Sequence, residues 1–405
     1  MSTAPSAAAG AFDRLWAELL PVGRHAVTGG YRRHAWTPVD RELREWFTGA
    51  AQARGLGVET DRNGNTWAWW GEPGPGAFVT GSHLDSVPDG GAYDGPLGVV
   101  SALAAVDAVR AAGVATPPRP VAVVAFTEEE GGRFGVPCLG SRLAAGTLAP
   151  DAALGLRDRD GVSLAEALTA AGRRPEDLGR DDETLERIGL FVELHVEQGR
   201  ALGEPVGLAS AIIPHGRWRF AFTGRADHAG TTRLADRRDP MLPFAAMVQA
   251  ARSAAERHDA VATVGRVEAL PGATNAVPSA VTGWLDARAV GDAAVDAVVD
   301  DVTAAAEAAA GEHGVTLAVT AESRSPAVEF DRGVLEGLTD VLGDLPALPT
   351  GAGHDAGVLA PRVPTAMLFV RNPTGVSHSP EEHAERDDCL AGVAALTALL
   401  RHHAG

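Results

Sequence analysis

The chain has 405 residues, 53 of them acidic and 35 basic, for a formal net charge of −18. Its length suits two or three domains, and 45% apolar with 22% charged residues allows a sizeable core and excludes wholesale disorder. The acidic balance argues against nucleic acid, which is gripped through basic side chains; none of those here is Lys, which removes Schiff-base, pyridoxal phosphate and P-loop chemistry in their usual forms.

Taken in chain order, the opening MSTAPSAAAGAFDRLW lacks the basic and apolar regions of a signal peptide. No apolar run reaches the ~18 residues of a membrane span, so a cytoplasmic protein with no membrane contact is expected. Residues 12–55 read as helical, with a break at Gly29–Gly30. Residues 66–70 and 76–81 read as short strands, 99–112 as an Ala-rich helix and 121–126 as a strand buried on both faces. That order predicts an α/β layer. The two cysteines, Cys138 and Cys389, form neither a zinc pair nor a disulfide framework. Residues 148–188 turn polar around a short helix at 163–171, and 190–196 is another buried strand. After Gly207 the pattern changes. Residues 217–223 alternate as a half-exposed antiparallel strand does, followed by a helix (240–258), two strands (261–270 and 280–288), a helix (295–310) and a strand (315–320). This β-α-β-β-α-β order is ferredoxin-like. The predicted architecture is α/β: a mixed-sheet catalytic domain with helices on both faces (1–209 and 325–405), interrupted by an α+β domain at 210–324.

Four segments concentrate His, Asp and Glu. GSHLD (81–85) ends a strand and leads into the loop GGAYDG (90–95), where open α/β sheets bind ligands. Thr127-Glu128-Glu129-Glu130 follows the strand 121–126. Solvated, three adjacent carboxylates are an ordinary charged loop; inside a site they need positive charge that this chain cannot draw from Lys. ELHVEQ (193–198) ends another strand, with Glu193, His195 and Glu197 on one face. GVSHSP (375–380) follows the apolar strand 366–370. One such ending means little, but four predict a convergent metal site, and the carboxylate count suggests two ions. Imidazole and carboxylate donors suit Zn²⁺, Mn²⁺, Co²⁺ or Ni²⁺.

The stretches GSHLDSVPDGGAYDGPLGV (81–99), FTEEEGGRFG (126–135), ELHVEQG (193–199), HAGTT (228–232), GATNAVPSAVTGWLDAR (272–288), GAGHDA (351–356) and GVSHSPEE (375–382) resemble the N-carbamoyl-L-amino-acid hydrolase and allantoate amidohydrolase family. These are binuclear metallo-amidohydrolases related to aminoacylases and metal-dependent dipeptidases. The resemblance implies one ion on His83 and His195, a second on Glu129 and His378, and Asp94 bridging them. Glu128 is the implied general base, and Asp85 orients His83. Gln198, Asn275 and Arg288 match substrate-binding positions, and His228 matches a histidine that reaches the partner subunit's site. The inserted domain is thus expected to serve as lid and to form a homodimer. The implied reaction is hydrolysis of the ureido C–N bond of a small carboxylate substrate by a metal-bridging hydroxide. Cleavage of a dipeptide or N-acyl amino acid on the same fold is the alternative. Arg233-Leu234 and Arg371-Asn372-Pro373-Thr374 depart from the family pattern and bear on substrate identity.

Overall fold

The computed structural model describes residues 3–404. They form two compact units, residues 3–210 with 329–404, and residues 211–328. The strands, in chain order, are β1 (Gly57–Thr60), β2 (Thr66–Trp70), β3 (Ala77–His83), β4 (Val121–Phe126), β5 (Ile188–Val196), β6 (Val206–Ile212), β7 (His215–Thr223), β8 (Asp227–His228), β9 (Ala260–Leu270), β10 (Ala276–Val277), β11 (Ala280–Ala289), β12 (Thr316–Ser325), β13 (Val328–Glu329), β14 (Ala347–Thr350) and β15 (Thr365–Val370).

In the first unit the strand order is β1-β2-β4-β3-β5-β15-β6-β13, with β14 beside β6. The four central strands, β4, β3, β5 and β15, run parallel. Their carboxyl ends therefore lie along one edge of the sheet. β3, β4 and β15 are buried along their whole length, which is why they read as continuous apolar runs. The period of two sends alternate side chains to opposite faces. Val192, Leu194, Ala366 and Leu368 join the core that also holds Leu97, Leu103 and Val393. Those three come from the helices Pro96–Ala111 and Arg386–Ala404. Glu193 and His195 consequently point to the other face, where the short helix Asp355–Leu359 packs on β5 and β15.

The second unit is an antiparallel sheet in the order β12-β7-β11-β9. Its buried positions alternate along β7 and β11. Phe220, Phe222, Leu285 and Ala287 pack against Met247 and Val298, on the helices Met241–Arg257 and Asp292–Glu312. β8 and β10 form a separate small ladder with His228 opposite Ala276.

The expected helix over 12–55 is two helices, Thr3–Leu19 and Pro38–Gln52. The chain between them is held by Arg33. Its buried guanidinium donates to the carbonyls of Leu19 and Val22, both at 2.9 Å, capping the end of the first helix. Thr37 caps the start of the second. Among the described residues no helix is long and apolar enough to cross a membrane.

β3 and β4 approach so closely that a Cβ at Gly81 would lie 1.9 Å from the Val124 carbonyl oxygen, at a φ of +148°. Gly81→Ala is therefore expected to destabilise by roughly 3 kcal/mol or more. Gly49→Ala, inside the helix Pro38–Gln52 with open space around it, should stabilise by up to about 1 kcal/mol. Urea unfolding of both variants checks the pair, and a Gly81→Ala midpoint equal to wild type would contradict the strand packing.

Candidate active site

His83 closes β3 and His195 lies one residue from the end of β5; both are fully buried. Their Nδ1 atoms face backbone oxygens, His83 that of Asp85 at 3.1 Å and His195 that of Val196 at 2.9 Å. A carbonyl partner demands an N–H on Nδ1, so in the neutral imidazole each Nε2 is the nitrogen that carries the lone pair. Both Nε2 atoms are buried without a hydrogen-bond partner. They face Asp94 Oδ1 at 3.5 and 3.2 Å. Gly95 lets this happen: a Cβ there would lie 2.4 Å from the His83 ring, at a φ of +84°.

The other oxygen of Asp94, Oδ2, lies 3.4 Å from His378 Nε2, which is also 3.4 Å from Glu130 Oε2. Two ligand groups therefore share one carboxylate: His83–Asp94–His195 and Asp94–Glu130–His378. Gln198 donates from Nε2 to Asp94 Oδ2 at 2.8 Å. It thus rests on the shared carboxylate.

The three adjacent glutamates divide differently from the sequence-based expectation. Glu130, rather than Glu129, stands with Asp94 and His378. Glu128 turns away from the ligand groups, its Oε1 accepting the backbone N–H groups of Arg133 at 2.9 Å and Phe134 at 2.7 Å. The cause is local backbone geometry: Glu128 sits at a φ of +52°, which redirects the chain just past the strand end. The amides of Glu129 and Glu130 are then caught by the two oxygens of Asp85, at 3.1 and 3.0 Å. Asp85 Oδ1 also lies 3.5 Å from His83 Nδ1, so it holds the loop as well as the imidazole. Glu129 is buried, with Oε2 3.5 Å from His83 Nε2 and Oε1 accepting the Cys138 thiol at 3.3 Å.

This concentration of carboxylates shifts its members. Burial, with Glu130 and Asp85 nearby, pushes Glu129 well above the usual carboxylate range. Burial and Asp94 raise Glu130 to about 7. Burial opposes the charging of His83, but Glu129, Asp85 and Asp94 outweigh it and raise the imidazole well above its ordinary value. Asp94 also resists its own burial and is held low by His195, His378 and His83. Unpaired imidazole nitrogens facing a shared carboxylate, with surplus negative charge behind, are the donor set that divalent cations satisfy. The residues fit two such ions.

Other residues have structural partners. Glu193 accepts the Ser82 hydroxyl at 2.7 Å and the Ala356 amide at 2.9 Å. Glu197, expected on the face of His195, instead caps a turn through the amides of Ala201 and Leu202. His354 is buried with its ring centroid 4.5 Å from that of His195. Arg371 is paired two-pronged with Asp388, which gives that departure a structural role. On the inserted unit, His228 and Asn275 are exposed neighbours, joined through the Ala229 amide and the Asn275 carbonyl at 3.0 Å. Arg288 holds Asp286 through Nε at 2.7 Å and Nη2 at 3.2 Å.

Residues 79–402 match the peptidase family M20/M25/M40. The chain is 38% identical to an N-carbamoyl-L-amino acid amidohydrolase of Geobacillus stearothermophilus, over 95% of this chain and 96% of that protein. It is 32% identical to an allantoate amidohydrolase of Escherichia coli K12, over 92% of each. A solved amidase of the hydantoinase/carbamoylase family from Burkholderia vietnamiensis superposes with a TM-score of 0.86 at 29% identity, covering 97% of this chain and 98% of that one.

The regrouping of the glutamates is checked by metal content. Glu130→Ala should weaken divalent-ion retention about tenfold or more, while Glu128→Gln should retain metal as wild type does. Equal loss in the two variants, read by elemental analysis after dialysis, would contradict the assignment.

Proposed function

The chain belongs to peptidase family M20/M25/M40, and from that premise we propose that it hydrolyses the ureido C–N bond of a small carboxylate-bearing substrate, an N-carbamoyl-L-amino acid or allantoate. One observation carries the reading: Asp94 stands at the junction of two ligand groups, with the buried carboxylate of Glu129 beside His83. His83, Asp94 and His195 would hold one divalent ion, and Asp94, Glu130 and His378 a second. Zinc or manganese suits these donors, as cobalt and nickel do. Such ions, when bound, supply Lewis acidity to the ureido carbonyl and acidify the attacking water.

The chain's own residues do the rest. Glu129 takes a proton from the attacking water and returns it to the leaving nitrogen. Its burial and its acidic neighbours raise its proton affinity, which suits a base that must later act as an acid. Asp85 holds the amides of Glu129 and Glu130 and so fixes base and ligand together. Gln198 pins one oxygen of Asp94. For an N-carbamoyl-L-amino acid and one water, the products are the amino acid, carbon dioxide and ammonia.

His228, Asn275 and Arg288 are proposed as substrate contacts: His228 for the developing oxyanion, Arg288 for the substrate carboxylate, with Asp286 as its resting counter-ion. A planar guanidinium matches a carboxylate two-pronged, which favours Arg in that role. Homodimerisation through the inserted unit and a cytoplasmic location belong to the same proposal.

Glu129→Gln should retain metal and lose ~10²–10⁴-fold in turnover, measured as ammonia release over a panel of N-carbamoyl amino acids and allantoate. Dipeptides and N-acyl amino acids in the same panel release no ammonia, so amine formation from those alone would favour the peptidase reading. Undiminished ammonia release by Glu129→Gln would remove the base.

A further inference from the structure

We propose that Glu382 is a positioning residue that aims the shared carboxylate of Asp94 and ties its loop to the loop carrying His378; the inference rests on the reading of Asp94 as a ligand common to two ions. Glu382 is 5% exposed, and it belongs to neither of the two ligand groups. Its Oε1 accepts two backbone N–H groups at once, those of Tyr93 at 2.8 Å and Asp94 at 2.9 Å. Two donors converging on one oxygen fix the Tyr93–Asp94 peptide plane, and with it the direction in which the Asp94 side chain leaves the backbone. Charge-assisted bonds of this kind are the stronger ones.

The other oxygen faces the other ligand loop. Oε2 accepts the Ser377 hydroxyl at 3.2 Å, and Ser377 Oγ is also 3.3 Å from Asp94 Oδ2. Ser377 immediately precedes His378. One carboxylate thus joins two segments 288 residues apart, so the bridging ligand and the histidine of the second group are set relative to each other by Glu382. Space has been made for it: a Cβ at Gly91 would lie 2.4 Å from Glu382 Oε1. A buried carboxylate placed amid other carboxylates is a costly way to fill a core. The bonds it makes run to the ligand loops, which is where its effect should appear. Residues that orient metal ligands without touching the metal commonly set affinity by ~10–100-fold.

The experiment is a titration of cobalt(II) into chelator-stripped protein, followed by visible absorption, for wild type, Glu382→Ala, Glu382→Gln and Gly91→Ala. Unfolding midpoints of the stripped forms are measured alongside. Glu382→Ala should bind its second equivalent of cobalt at least about tenfold more weakly and change the absorption band. Glu382→Gln, which keeps an acceptor for the two amides, should fall between Ala and wild type. Gly91→Ala should reproduce the defect with Glu382 unaltered, by displacing it. The stripped midpoint of Glu382→Gln, which leaves neither amide without an acceptor, should stay near that of stripped wild type. Cobalt binding at wild-type strength and spectrum in Glu382→Ala would sink this inference alone. So would a loss of cobalt that tracks a lowered stripped midpoint, since that marks a general folding role. A wild-type chain that takes up no cobalt would sink both this inference and the functional reading beneath it.

Discussion

The structure depends on surplus negative charge held in a buried space. Asp85, Asp94, Glu129, Glu193 and Asp355 are all buried at one edge of the sheet, with Glu130 partly so. The positive groups in direct contact are imidazoles, which carry charge only when protonated. Isolated buried carboxylates are strongly disfavoured, and the chain has no Lys to offer. Divalent cations would resolve the imbalance where the unpartnered nitrogens of His83 and His195 face Asp94. The sheet supplies the rest. Four parallel strands end along one edge, so that ligands distant in sequence meet at a single place, as open α/β sheets favour.

Carboxylates are also the device that holds the surrounding loops. Asp85 grips the amides of Glu129 and Glu130. Glu128 grips those of Arg133 and Phe134, and Glu193 that of Ala356. Glu382 grips the amides of Tyr93 and Asp94. Each arrangement satisfies loop N–H groups that burial would otherwise leave unpaired. A residue that looks catalytic by composition is thereby often a strut. Acidic residues near this site meet imidazole nitrogens, backbone amides or, as Asp85 and Glu130 do, both.

That distinction explains how much was legible in the sequence. The parallel core strands announced themselves as apolar runs, and the inserted unit as alternation at 217–223, because burial on two faces or one writes those patterns directly. His83 and His195 were readable as strand-end residues, Asp94 and His378 as members of the loops that follow strands, and the four converge. The choice among Glu128, Glu129 and Glu130 was not readable. It turns on a positive φ at Glu128, for which a run of three identical residues carries no mark. A one-residue displacement there would move each carboxylate from one proposed role to the next. Glu197 was misplaced for a related reason: β5 ends at Val196, so the two-residue period used to align it with His195 no longer applied. The segment between the first two helices was hidden because Arg33, a charged residue, does the work of a core residue.

The most direct measurement is an anomalous-scattering map from crystals of the chain grown with zinc. The account predicts two peaks flanking Asp94. One should lie about 2.0–2.2 Å from ligand atoms of His83 and His195, the other at the same distances from Glu130 and His378. A map with its density on Glu128, or with no peak touching Asp94, would contradict it.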